Sequence, residues 1–193
     1  MQILFGIHKG RRLKTPPDDR IRPTTGRMRD WLGNVLREHL VEARVLDLYA
    51  GSGGLGLLAL SMGASHVTFV DRAPGALKLV DANLRLLNET PRAVVVRQDI
   101  LAFLKRRQGA AWDLVFVDPP YDSTDYTVLM SALSGADILT RTGILMVEHP
   151  SHLRPAAEGL TLLRNKAFGR STISLYQPAE PSNDGSAGLD RPH

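Results

Sequence analysis

The chain has no cysteine among its 193 residues. Disulfide frameworks, thiolate zinc sites and cysteine nucleophiles are thereby excluded, and the composition fits a reducing compartment. Long apolar runs are missing as well. The opening Met1-Gln2-Ile3-Leu4-Phe5-Gly6-Ile7 has no basic flank and too few apolar residues for a signal peptide or a membrane span. The expectation is a soluble cytoplasmic protein with no membrane partner. Internal repeats and heptads are absent, and no metal site is read. Acidic residues are scarce at one end only: residues 1–29 hold eight Lys/Arg against Asp18 and Asp19, a local charge of +6, whereas the remaining 164 residues balance at −2. A polyanion partner, nucleic acid first, would dock on that end.

At this length, with 43% apolar residues, one main domain with a sizeable core is expected. Residues 2–7 and 11–14 flank His8-Lys9-Gly10 as a small hairpin, and Pro16-Pro17-Asp18-Asp19 breaks the chain after it. Thr24 or Thr25 then caps a helix running to about Leu40, with Met28, Trp31, Leu32, Val35 and Leu36 at helical spacing. Residues 1–40 thus read as a basic hairpin-and-helix extension. From residue 44 strands and helices alternate, as Arg44–Tyr49, Leu55–Met62, Val67–Val70, Pro74–Leu87, Ala93–Arg97, Ile100–Arg107, Asp113–Val117, Tyr126–Leu133 and Gly143–Glu148, which builds a parallel sheet with helices on both faces. Val94-Val95-Val96 and Leu114-Val115-Phe116-Val117 are continuous apolar runs, as strands buried on both faces require. Leu160–Arg164 and Thr172–Tyr176, separated by Phe168-Gly169-Arg170-Ser171, suggest a closing antiparallel hairpin. Residues 41–177 form the main domain, and 178–193, rich in Pro, Gly, Ser, Asp and Asn, read as a disordered tail.

Gly51-Ser52-Gly53-Gly54-Leu55-Gly56 follows the first strand and matches the dinucleotide fingerprint, with Asp71 twenty residues on where a ribose-binding acid sits. Taken alone, this indicates NAD. Asp47, four residues before the first glycine, would repel a pyrophosphate but can hold the cationic amino-acid end of S-adenosylmethionine, so it favours a cofactor without phosphates. Asp71 can accept from both ribose hydroxyls, and Asp99, just past the third strand, from the adenine amino group. The candidate cofactor residues are Asp47, Gly51, Ser52, Gly53, Asp71 and Asp99.

The second motif is Asp118-Pro119-Pro120-Tyr121, after the fourth core strand. An exocyclic base amine is a poor nucleophile, because its lone pair is delocalised into the ring. A carboxylate and a backbone carbonyl that accept its two N–H bonds release that lone pair and aim it at an electrophilic methyl. Asp118 and the carbonyl of Pro119 are candidates for those acceptors. Pro119-Pro120 offers no competing N–H, and Tyr121 offers a ring on which a flipped base can stack.

At these residues the chain resembles the class I S-adenosylmethionine-dependent methyltransferases with a (D/N)PP(Y/F) motif, and among them the RsmD family of 16S rRNA guanine-N2 methyltransferases. The resemblance covers residues 2–177. It is carried by Gly10-Arg11-Arg12-Leu13, Arg22-Pro23-Thr24-Thr25 with Arg27 and Arg29, Asp47 through Gly56, Asp118 through Tyr121, and Leu175-Tyr176-Gln177. It implies an α/β fold, a Rossmann-like sheet of seven strands with the last antiparallel, acting on 16S rRNA within the 30S subunit or an assembly intermediate. Lys9, Arg11, Arg12, Arg22, Thr24, Thr25 and Arg27 are the candidate RNA contacts, and a monomer is expected. His8-Lys9 and Gly26 depart from the family pattern, with consequences for RNA grip and not for the chemistry.

Two other readings stand beside this one. A DNA or RNA adenine-N6 methyltransferase shares the tetrapeptide but usually needs a target-recognition region, for which residues 122–142 are too short. A non-catalytic RNA-binding assembly factor would keep the fold without turnover, against which the intact Asp118 and Gly53 argue.

Overall fold

Alternation from residue 44 onward builds a single mixed sheet. Its strands are β1 (Arg44–Leu48), β2 (His66–Asp71), β3 (Ala93–Arg97), β4 (Trp112–Val117), β5 (Leu139–Pro150), β6 (Leu160–Phe168) and β7 (Ser171–Pro178), in the spatial order β3-β2-β1-β4-β5-β7-β6. In this computed structural model, residues 1–16, 26–106, 111–120 and 124–179 are described, with the backbone alone for Gly26 and Arg29. Arg22, Thr24, Thr25, Tyr121 and residues 180–193 of the expected tail lie outside the described residues; the first two residues of that tail are ordered instead, because Pro178 ends β7 and the Ala179 amide donates to the Gly159 carbonyl at 2.9 Å. The expected sheet of seven strands is present. β1 to β5 run parallel, and β7 inserts antiparallel between β5 and β6.

The helices are α1 (Gly26–Val35), α2 (Arg37–Leu40), α3 (Gly54–Ser61), α4 (Pro74–Leu87), α5 (Ile100–Arg106) and α6 (Tyr126–Gly135). Two cores result, one on each face of the sheet. Met28, Leu32 and Leu36 join Leu57, Leu58 and Leu60 of α3 and Val80 and Leu84 of α4 on one face. Ile100 and Leu104 of α5 pack with Leu129, Met130 and Leu133 of α6 on the other. Pleating explains the division: Val45 and Phe116 point to the first core, while Leu46, Leu48, Val115 and Val117 point to the second.

α3 is apolar around its whole circumference, and Leu55 through Ser61 are all buried. A helix of that kind needs cover on its outer side as well as against the sheet. The N-terminal hairpin, closed by a bridge between Gln2 and Arg12, supplies it. The Ile7 amide donates to the Ser61 carbonyl at 2.8 Å, the Ser61 hydroxyl donates to the Phe5 carbonyl at 2.5 Å, and Ile3 and Leu13 are buried in the same core as α3. A Cβ on Gly6 would lie 1.8 Å from the Ser61 carbonyl oxygen, so only glycine permits this approach. Each Leu fully buried beneath the hairpin is worth about 1.5–3 kcal/mol.

The structure differs from the expected elements in three places. The helix expected to run to Leu40 is divided at Leu36 into α1 and α2. β5 starts at Leu139 rather than Gly143, because a bulge opposite Trp112 and Leu114 carries the polar Thr140-Arg141-Thr142 into the strand. Val94-Val95-Val96 is not buried on both faces. β3 is a sheet edge, and Val94 is 45% exposed, because a terminal strand is flanked by one neighbour only.

Candidate active site at the carboxyl ends of the strands

The chain leaves β1 for β2 on one side and later returns to β4 on the other, so the carboxyl ends of β1 and β4 form the switch point of the sheet. The loop after β1 is shaped by left-handed residues. Gly51 and Gly53 have φ of +54° and +84°, and Tyr49, which has a side chain to accommodate, sits at +59°. A non-glycine residue held there stores backbone strain of order 1–3 kcal/mol, a feature that gathers at binding sites. The turn closes when the Gly53 amide donates to the Ala50 carbonyl at 2.8 Å. Gly56 is required for packing: a Cβ there would lie 2.3 Å from the Phe69 ring and 2.9 Å from Asp47 Oδ2.

Asp47 sits beneath this loop, 2% exposed, and its Oδ2 accepts the Gly56 amide at 2.9 Å. Burial pushes its pKa up to about 8, against the opposing pull of the Gly56 hydrogen bond, and the charge of Asp71 adds to the rise. Asp71, at the end of β2, accepts the Gly51 amide on Oδ2 at 2.9 Å and the Ala73 amide on Oδ1 at 2.8 Å, so it ties the loop after β1 to the start of α4. Each oxygen retains a second lone pair for a ligand hydroxyl. Asp99 is exposed and caps α5 by accepting the Ala102 amide at 3.1 Å. Asp47, Gly51, Ser52, Gly53, Asp71 and Asp99 thus all lie at the carboxyl ends of β1, β2 and β3.

Asp118 follows Val117 at the end of β4, directly beside the end of β1, since Val117 pairs with Leu48. Burial raises its pKa well above the carboxylate range. The charge of Glu148, a hydrogen bond to Glu148 and the charge of Asp47 raise it further. Pro119 is buried and Pro120 exposed, and the Thr124 hydroxyl donates to the Pro120 carbonyl at 2.6 Å. The two sequence motifs, some seventy residues apart, therefore meet across one pair of adjacent strands.

The basic residues fall elsewhere. Lys9, Arg11 and Arg12 are exposed on the hairpin, whose tip lies by the C-terminal end of α3 and the end of α4: Arg11 donates to the Leu86 carbonyl at 3.1 Å and His8 pairs with Glu89 at 2.5 Å. The glycine loop is at the other end of α3, about 12 Å away for eight residues. Arg27, at the start of α1, is exposed.

Sequence reasoning missed three side chains. Asn83, fully buried, donates to the carbonyls of Lys14 and Ser52 at 3.0 Å each and accepts the Lys14 amide at 2.7 Å, joining the hairpin exit to the glycine loop. A lone amide inside the apolar face of a helix was the available signal. Glu89 is held by His8 and by Arg92, which lower its pKa against the effect of burial. Glu148 lies within an apolar strand, next to Asp118. Among the described residues, no group of His, Asp or Glu is arranged to hold a metal ion, and no helix is long and apolar enough to cross a membrane.

Known proteins resemble this chain along most of its length. Residues 1–177 match the model of the family described as conserved hypothetical protein 95. The chain is 33% identical over 181 residues to the ribosomal RNA small subunit methyltransferase D of Haemophilus influenzae, covering 92% of this chain and 93% of that one. To the protein of the same name from Escherichia coli K12 it is 32% identical over 179 residues, covering 92% and 89%. The solved structure of yhhF from Escherichia coli aligns with a TM-score of 0.82 at 32% identity, over 92% of this chain and 97% of that one. Since the match runs from the first residue of the hairpin to the last strand of the sheet and takes in both loops of the site, the chain belongs to the conserved hypothetical protein 95 family, the RsmD family that its sequence resembles.

Proposed function

We propose that the protein transfers a methyl group from S-adenosylmethionine to the exocyclic N2 amine of one guanine in small-subunit rRNA. The observation that carries this reading is the meeting of Asp118-Pro119-Pro120 with the glycine loop across β4 and β1. The relatives named small subunit methyltransferase D support the RNA class.

The strand ends fit this cofactor better than a phosphate-bearing one. Asp47, Asp71, Asp118 and Glu148 make this edge acidic, which opposes a pyrophosphate and suits a ligand with a sulfonium and an ammonium group. When bound, S-adenosylmethionine supplies a methyl group activated by positively charged sulfur. Asp71 accepts from the ribose hydroxyls, Asp99 from the adenine amine, and Gly51, Ser52 and Gly53 leave the backbone open to close approach. Asp47, which burial keeps largely protonated in the free protein, ionises beneath the loop when the cationic amino-acid end arrives and then pairs with it. Asp118 and the Pro119 carbonyl accept the two N–H bonds of the target amine, and Tyr121 offers a ring for the flipped base. The hairpin arginines and Lys9, with Arg22, Thr24, Thr25 and Arg27, contact phosphates to either side of the target.

The hairpin-and-helix extension, residues 1–40, is the RNA-gripping part in this reading and residues 41–177 the catalytic part. The protein acts as a monomer in the cytoplasm, on the 30S subunit or an assembly intermediate. Transfer of tritiated methyl to rRNA and to 30S particles from a strain lacking the gene, followed by nucleoside analysis, tests the proposal. N2-methylguanosine from 30S is the expected product. Label in N6-methyladenosine, or label in DNA alone, overturns the target. Absence of any transfer together with absence of cofactor binding overturns the enzyme in favour of an assembly factor.

A further inference from the structure

Glu148 takes no part in the chemistry above, yet the sheet places it beside Asp118. β4 and β5 are parallel with Val117 opposite Val147, so the next residues, Asp118 and Glu148, stand side by side at the strand ends, about 4.8 Å apart along the hydrogen-bonding direction. Both also point the same way. Phe116 and Met146 belong to the core under α3 while Val117 and Val147 belong to the opposite one, so alternation turns Asp118 and Glu148 toward the α3 face, where Asp47 also lies. Burial comes first among the causes that raise the Asp118 pKa, followed by the charge of Glu148 and a hydrogen bond between the two carboxyl groups. On the far side of Glu148, the paired residue of β7 is Ile173, fully buried, and Glu148 itself is 7% exposed.

Two carboxyl groups can hydrogen-bond to each other only when one carries a proton, because an ionised carboxylate has no donor. Two like charges at this separation repel, which together with burial raises the Asp118 pKa above its ordinary value. We propose that Glu148 is the positioning residue for Asp118: by sharing one proton it fixes the Asp118 carboxyl with its other oxygen toward the target amine, and the pair then takes up the proton that the amine releases. This role rests on the methyl-transfer reading. Once methylated, the amine nitrogen carries a positive charge; its N–H bond breaks, an O–H bond forms on the singly protonated pair, and a neutral amine and a neutral pair remain. The pair then returns one proton to water and regains its single negative charge.

The groups facing the pair leave room for this assignment. Asp47 approaches from β1 and opposes a second negative charge. From α6, the Tyr126 hydroxyl donates to the Glu148 carbonyl at 3.3 Å. On β5, His149 is held neutral by burial: Nδ1 donates to the Pro150 carbonyl at 2.9 Å and Nε2 accepts from the Ser174 hydroxyl at 2.8 Å. Arg154 acts on His149 and opposes its protonation. β7 contributes no titratable neighbour at Ile173.

The test compares Glu148→Gln and Glu148→Ala with the wild-type protein. The first readout needs no turnover: titration of the Asp118 carboxyl by NMR on aspartate-labelled protein without cofactor. Glu148→Gln removes the like charge and still donates an N–H, so the Asp118 midpoint should fall by about one pH unit or more. The second readout is kinetic. Glu148→Ala should lower kcat by about tenfold to a hundredfold, within the usual range for groups that manage a proton, while KM for 30S particles and affinity for S-adenosylhomocysteine change less than about twofold. Glu148→Gln should keep more activity than Glu148→Ala. An Asp118 midpoint that does not move in Glu148→Gln overturns the role, as does wild-type kcat in Glu148→Ala or a loss of cofactor affinity equal to the loss of kcat. If Glu148→Ala does not fold, the near-isosteric Glu148→Gln decides through the NMR midpoint. A wild type that forms no N2-methylguanosine sinks the functional reading itself; an active wild type with unaltered variants sinks only the role of Glu148.

Discussion

The N-terminal hairpin and the carboxyl edge of the sheet both hold α3, and they hold it by opposite means. The hairpin covers it with backbone hydrogen bonds, a close-packed Gly6 and the buried Ile3 and Leu13, and its charged side chains stay at the surface. The strand edge sets desolvated carboxyl groups against it, Asp47 bonded to the Gly56 amide and Asp118 paired with Glu148. Folding gains from the first arrangement and loses from the second, because burying a carboxyl group disfavours its charged form. Desolvated carboxyl groups of this kind gather at binding and catalytic sites.

Four variants sharpen or break that contrast. Asp118→Ala should cut methyl transfer by about a hundredfold to ten-thousandfold, with calorimetry showing S-adenosylhomocysteine affinity within about twofold of wild type. Parallel loss of both would mean that Asp118 holds up the pocket and does not act on the amine. Asn83→Ala strips three hydrogen bonds from the joint between hairpin and glycine loop. Leaving buried partners unsatisfied costs about 1–3 kcal/mol each, so the melting temperature should drop by several degrees; an unchanged melting curve would show that the joint carries no stability.

Arg11 and Arg12, by contrast, should matter to substrate and hardly to folding. The double alanine variant should bind rRNA about tenfold more weakly, and the slope of log affinity against log salt should flatten by about 0.7–0.9 for each phosphate no longer neutralised. A slope equal to that of wild type would move the RNA surface off the hairpin. At neutral pH the smallest effect is expected from Asp47→Asn without cofactor, because Asp47 is largely protonated there. Because the folded pKa of Asp47, about 8, lies above its ordinary 3.8, the stability due to its bound proton is complete below 3.8 and is lost as pH rises through 8. The wild-type melting temperature should therefore fall over that range, while the asparagine variant follows a flatter curve and melts a few degrees higher at the alkaline end. Coincident curves would show that Asp47 ionises without penalty.

Much of this was legible in the residues. Continuous apolar runs located the strands, α4 was expected at its observed limits, and the glycine loop and Asp71, twenty residues on, are joined by the hydrogen bond from the Gly51 amide to Asp71. Local signals failed where a neighbour decided the outcome. Val94 looks like an interior strand residue, and only its place at the sheet edge exposes it. Arg141 and Thr142 look like loop, and only the bulge against β4 draws them into β5. The hairpin arginines carry charge wherever they are placed, but their distance from the glycine loop follows from the direction in which the hairpin runs along α3.

Glu148 shows where that boundary falls. By itself the sequence determined the chemistry available: a loop that admits a ligand to bare backbone, a carboxylate before two prolines, and a positive charge confined to one end. Those properties belong to residue types at short spacing and survive any arrangement of the rest. Only the tertiary structure decided which groups meet. The register of β4 against β5 sets Asp118 beside Glu148, and the pleat turns both toward α3 and Asp47. Pairing across strands thirty residues apart is fixed by the packing of two cores around a sheet, a long-range property that no local pattern in the chain encodes.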